Sequence, residues 1–142
     1  MNIECKVTGY EELMSVLERM GRSADESVNR GLHEGARRVQ ASAKELCRVN
    51  TGRLRNSITV TKIDGGYDIG TNVEYAVYQE YGTGRRGDSS VSHVTEKITK
   101  DGSTVPYEGI SPNPFLYPAL KMHEKDIPGI VRNTIIKDAM RR

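Results

Sequence analysis

The feature that most constrains this chain is a stripe of small and apolar side chains that begins after Ser23. Val28, Leu32, Gly35, Ala36, Val39, Ala43 and Leu46 recur every three or four positions. Arg30, Glu34, Arg37, Arg38, Lys44 and Arg48 fall mostly off that stripe. Only a helix places such residues on one face, so the spacing predicts a helix of roughly 25 residues, capped by Ser23 or Asp25. Gly and Ala are common along its seam, so another backbone can come close. A chain of 142 residues has room for one domain. That helix must organise it.

Shorter elements surround the helix. Ile3, Cys5 and Val7 alternate with Glu4 and Lys6, which predicts a strand ended by Gly9. Leu13, Val16, Leu17 and Met20 predict a helix stopped by Gly21. Gly52, in "VNTGRLRNS", breaks the long helix. The runs "SITVTKI" and "GYDIGTNV" flank Asp64, Gly65 and Gly66 and predict a hairpin. "EYAVYQEYG" predicts a short helix with Tyr75, Tyr78 and Gln79 on one side and Gly82 at its end. The polar region from Thr83 to Asn113 is too long for an ordinary loop. Its "SHVTEKITKDGSTVPYEGI" predicts a projecting hairpin around a Lys-Asp-Gly-Ser turn. In the last element Pro114 is expected in a first helical turn, with Phe115, Leu116, Ala119 and Leu120 on one face. Pro128 is expected to end or kink that helix, and Ile130, Val131, Ile135 and Ala139 to continue its stripe.

These elements predict one α+β domain over residues 1–142. The long N-terminal helix and a C-terminal helix would pack on a small, mainly antiparallel sheet, with a mobile arm over 83–113. The apolar share is 36%, with one Phe and no Trp. Such a lean core points to stability drawn partly from partner subunits.

Composition and spacing narrow the chemistry. A net charge of +2 is far below what phosphate-dominated binding brings. Cys5 and Cys47 fit no metal or redox spacing, so both are read as free thiols. "MNIECKVTGY" lacks the apolar run of a leader, and no stretch approaches the ~20 apolar residues of a membrane span. The expectation is therefore a cytoplasmically made protein with no membrane association.

Gly82, Gly84 and Gly87 spell the G-x-G-x-x-G of a dinucleotide turn. That turn needs a buried strand before it and a helix after it, and "EYAVYQEY" and "DSSVSHVT" supply neither. Arg86-Gly87-Asp88 matches an adhesion tripeptide in a chain with no extracellular signal. Both are read as parts of a flexible loop rich in glycine and arginine. His33, His93 and His123 have no ligand spacing, and no serine or cysteine sits in a nucleophile motif. The reading is not an enzyme, with no cofactor and no metal.

Two clusters remain. Tyr75, Tyr78 and Tyr81, with Arg85 and Arg86 just beyond, form a candidate protein interface, because tyrosine joins an apolar ring to a polar hydroxyl. Arg37, Arg38, Arg48, Arg53 and Arg55 support an alternative, a nucleic-acid-binding accessory protein.

Three ordered blocks carry a resemblance. Thr51, Gly52, Leu54, Arg55, Ser57 and Ile58 make the first. Tyr75, Ala76, Tyr78, Glu80, Gly82 and Thr83 make the second. Pro114, Phe115, Leu116, Pro118 and Ala119 make the third. Together they resemble the small head–tail joining, or tail-completion, proteins of long-tailed phages and prophages, whose prototype is the tenth gene product of a lambdoid coliphage. Asn50 stands where that family's pattern has aspartate. The resemblance implies a structural neck protein of the virion, assembled in the bacterial host cytoplasm. It implies a ring, with six copies as the expectation from a tail tube, that contacts neck and tail-tube proteins. Duplex DNA would pass through transiently, with Arg53 and Arg55 facing it. The glycines of "YGTGRRGDSS" would then act as a hinge for the arm.

Overall fold

The computed structural model describes residues 1–5, 23–92 and 94–141. The helix expected over 11–20, its stop at Gly21 and the position of His93 lie outside the described residues.

The long helix, α1, spans Ser23–Leu46. Its first turn carries Asp25 and Glu26 and its last carries Lys44, each facing the helix-dipole end that suits its charge. Val28, Leu32, Ala36, Val39 and Ala43 are buried, as the stripe requires. Its last member differs from expectation. Leu46 is 39% exposed, and Cys47 is 4% exposed in its place. Cys47 sits four residues after Ala43 and donates its backbone N–H to the Ala43 carbonyl at 3.0 Å, so the buried line runs on through it.

Gly52 has a different task from the helix terminator expected. Its φ of 79° turns the chain into a further short helix, α2 (Arg53–Ser57), which buries Leu54. The expected hairpin follows as β2 (Thr59–Ile63) and β3 (Gly66–Gly70). Gly66 belongs to β3, opposite Ile63, so the turn is shorter than expected.

β3 lies at the centre of a three-stranded antiparallel sheet, between β2 and β1 (Asn2–Cys5). The register sets Ile3, Ile69 and Val60 in one row and Glu4, Asp68 and Thr61 in the next. Alternation therefore gives the sheet one apolar and one polar face. Tyr67 and Ile69 on the apolar face are buried against α1.

Three further helices follow, the first before the arm and the other two after it. α3 spans Ala76–Tyr81, α4 spans Leu116–His123 and α5 spans Ile127–Met140. Two proline expectations are corrected. Pro114 precedes the cap residue Phe115 and lies outside the helix. Pro128 opens α5 rather than ending α4, since its missing N–H costs nothing in a first turn.

α4 and α5 both pack on α1, and α4 also touches β1. The Gly and Ala seam explains the closeness. A Cβ on Gly31 would stand 2.7 Å from the Val131 Cα, and one on Gly35 would stand 3.1 Å from Ile127 Cγ1. Polar tethers reinforce the contact. The Ser27 hydroxyl donates to Asp138 Oδ2 at 2.6 Å, and Arg30 pairs with the same carboxylate. Ser42 Oγ and His123 Nε2 share a hydrogen bond at 2.7 Å. The architecture is α+β.

The arm carries the expected polar hairpin, β4 (Glu96–Ile98) and β5 (Thr104–Pro106). At its tip Gly102 has φ of 83°. The hydroxyl of Thr99, then the hydroxyl and backbone N–H of Ser103, hold the Asp101 carboxyl down at about 2.

Candidate functional site

The site is built on α3. Residues four apart on a helix share a face, and here Ala76 and Glu80 point inward while Val77 and Tyr78 stay exposed. A carboxylate on an inward face demands donors. Glu80, only 3% exposed, finds three at the start of α4. Its Oε2 accepts the backbone N–H groups of Phe115 and Leu116 at 2.8 and 3.0 Å, and its Oε1 accepts that of Tyr117 at 3.0 Å. Three of the helix's unsatisfied N–H groups are thereby met, at the end that favours a negative charge.

Beyond Glu80 the two legs of the arm are pinned to each other. Thr83 donates its N–H to the Ile110 carbonyl at 2.9 Å, and Ile110 returns its own to Thr83 Oγ1 at 3.2 Å. Arg85 and Arg86 donate to the carbonyls of Tyr107 and Glu108 at 2.8 and 3.0 Å. Asn113 donates to the Gln79 carbonyl at 2.8 Å. Glycine is needed here for close approach. A Cβ on Gly82 would lie 2.5 Å from the Ile110 carbonyl oxygen, and one on Gly109, where φ is 66°, would overlap the Thr83 carbonyl. Gly82 and Gly84, expected to act in a hinge, thus sit in a backbone-on-backbone stem.

The stem brings Tyr107 and Ile110 against α3, and two clefts result. One, of about 320 Å³, is lined by Arg48, Tyr75, Tyr78, Tyr107 and Ile110 among others. The other, of about 450 Å³, lies between Val77, Tyr78 and Tyr81 on α3 and Val91, Val94 and Tyr107 on the arm. Tyr78 and Tyr107 border both. Of the three tyrosines singled out by sequence, Tyr75 lines only the smaller cleft, Tyr81 only the larger, and Tyr78 both. Tyr107 and Ile110 escaped sequence reasoning because their neighbours are defined only by the stem.

The arginines divide. The Arg53 guanidinium lies over the Tyr75 ring, 6.0 Å from its centroid, a cation–π geometry. Arg48 lines the smaller cleft. Arg55 is exposed, and its charge acts on Cys47. Burial nonetheless pushes the Cys47 thiol up, against smaller opposing effects of Gln79 and Arg55. Arg85 and Arg86 are exposed on a 3-10 turn, Gly84–Arg86, and Arg86 lies 3.9 Å from Glu108. Arg37 and Arg38 sit on the open flank of α1, where Arg38 pairs with Glu34 at 2.7 Å, and neither lines a cleft named here.

The described histidines have other company. The His33 ring sits 5.2 Å from that of Tyr67, and His123 holds Ser42. Among the described residues no group of His, Cys, Asp and Glu is arranged to hold a metal, and no helix is long and apolar enough to cross a membrane. The exposed aromatic rings, flanking arginines and projecting hairpin suit contact with another macromolecule.

No curated protein and no solved structure matches the chain. A family model described as "Bacteriophage HK97-gp10, putative tail-component" matches residues 11–82, just over half of it. That span holds α1, the Thr51–Ile58 block and α3, and Glu80 ties it to the third block beyond. The chain belongs to this HK97-gp10-like family of phage tail components.

Proposed function

We propose that this structural tail component acts at the neck of a phage or prophage particle, joining the tail to the DNA-filled head as a ring around the DNA path. The observation that carries the reading is the tyrosine-lined face around Tyr78, which is 55% exposed beside a projecting hairpin. Exposed aromatic clefts of this kind fit a protein that is completed by neighbours. Six copies would match a tail tube, closed by cyclic symmetry. Its partners are neck and tail-tube proteins, with duplex DNA in transit past Arg53 and Arg55, and its place is the virion. The hairpin is the mobile part, and docking orders it.

The test is deletion of the gene from a phage or inducible prophage, followed by electron microscopy of the lysate. Packed heads and separate tails, restored to whole particles by the gene in trans, are expected. A lysate full of intact, infectious virions would sink the neck role. Heads that remain empty of DNA would move the function to packaging instead.

A further inference from the structure

The hairpin and the smaller cleft have complementary surfaces. The register pairs Glu96 with Pro106 and Ile98 with Thr104. Opposed residues share a face, as do residues two apart, so Glu96, Ile98, Thr104 and Pro106 line one side of the hairpin. Ile98 is 78% exposed there. A two-stranded hairpin is marginal alone and gains order when its apolar side is covered. The cleft offers the opposite character. Its tyrosine rings are rimmed by Arg48, with Arg53 over Tyr75, and among the described residues no carboxylate lines it. The hairpin face carries Ile98 and the acidic Glu96.

The stem fixes where the hairpin leaves the body, and Ile98 stays exposed in its own chain. A match between the two would therefore be one between molecules. We infer that the Tyr75–Tyr78 cleft receives the β4–β5 hairpin of a second copy of this chain, with Ile98 seated among the tyrosines and Glu96 directed to Arg48 and Arg53. Hairpin and cleft are different surfaces, so the contact is heterologous. Repeated, it closes a ring or extends a filament, according to the rotation between copies. The inference deepens the ring reading above and rests on it for its biological setting.

The test uses single-cysteine additions at two exposed positions. Ile98→Cys and Tyr78→Cys chains are purified separately, mixed and mildly oxidised. The wild-type chain controls for the native thiols, and Met140→Cys mixed with Ile98→Cys controls for random collision. A covalent dimer of Ile98→Cys with Tyr78→Cys is expected at least tenfold faster than in the collision control. In the same background, Glu96→Arg and Arg48→Glu should each slow the cross-link about fivefold, and the two together should restore it. Cross-linking at the collision rate overturns the inference, as does a double charge swap that fails to restore it. Duplex DNA shielding Tyr78→Cys from alkylation, without a specific cross-link, also overturns it and gives the cleft to phosphate. The gene deletion separates the two ideas. A specific cross-link with normal virions spares this contact and sinks the neck role, while the reverse pair of results sinks only this contact.

Discussion

Glu80 holds Phe115 across the base of the arm: its buried Oε2 accepts the Phe115 backbone N–H at 2.8 Å, 35 residues further along the chain. The same carboxylate takes the next two N–H groups of the α4 start. One side chain thus joins the end of α3 to the beginning of α4. Glu80→Ala leaves those donors without a partner inside the protein, and should cost about 3 kcal/mol of folding stability. Glu80→Gln keeps one acceptor oxygen and should cost about half as much. Thermal unfolding followed by circular dichroism should show a drop near 10 °C for the alanine variant. Equal melting of Glu80→Ala and the wild type would show that the cap carries no weight.

Two helical glycines should respond in opposite directions. Gly31→Ala drives a methyl into the Val131 backbone, and α5 must shift from α1. A loss of about 2 kcal/mol is expected. At Gly129, on α5, an added Cβ meets nothing within 4 Å. Gly129→Ala should instead add about 0.5–1 kcal/mol by restricting the unfolded chain and favouring helix. Urea titration of both variants checks the sign of each.

The arm offers a similar contrast. Gly102 and Gly109 both have positive φ, but only Gly109 is packed against another backbone. Gly102→Ala should cost about 1 kcal/mol, the strain of a left-handed residue alone. Gly109→Ala should cost at least about 3 kcal/mol, because the Thr83 carbonyl must also move. Amide exchange at Thr83 and Arg85 should quicken in the Gly109 variant and hold steady in the Gly102 variant.

Asp138 gives the fold a dependence on acid. The Ser27 hydroxyl, and after it the charges of Arg30 and Arg141, hold its carboxyl below the ordinary range. A depressed native pKa means that the unfolded chain binds the proton more readily. The stabilisation is complete above the unfolded value of about 3.9 and is lost as pH falls through the native value. Asp138→Asn should therefore be less stable than the wild type at neutral pH, with the difference shrinking below about pH 4. Chemical denaturation at a series of pH values checks the convergence.

The elements legible in the sequence are those whose signal is periodic and local. The α1 stripe showed through Val28 to Ala43 because burial repeats at the helical period. The β2–β3 pair showed through β-branched alternation around Asp64 and Gly65. Failures came where a contact spans distance. The short α2 hid inside the Arg53–Ser57 motif, because one turn leaves no period to read. Leu46 and Cys47 exchanged roles at the end of α1, where only tertiary packing decides which side chain turns inward. Tyr75, Tyr78 and Tyr81 were legible as a cluster on one helix, but Tyr107 and Ile110 join them only through the stem. Glu80 was legible as part of a motif, and its role was not, because its partners lie beyond the arm. Gly82 and Gly84 announced unusual backbone, while the packing that requires them came from Tyr107 to Pro112.

The clamp separates inheritance of the body from inheritance of the arm. The excursion that leaves at Gly82 and returns at Asn113 begins and ends in one stapled gap, so its contour length is no concern of the core. Residues gained or lost around Asp101 alter how far the hairpin reaches and leave the Glu80 cap as it was. Insertions and substitutions at the tip can therefore change the surface the hairpin presents while the scaffold beneath keeps the contacts that fold it.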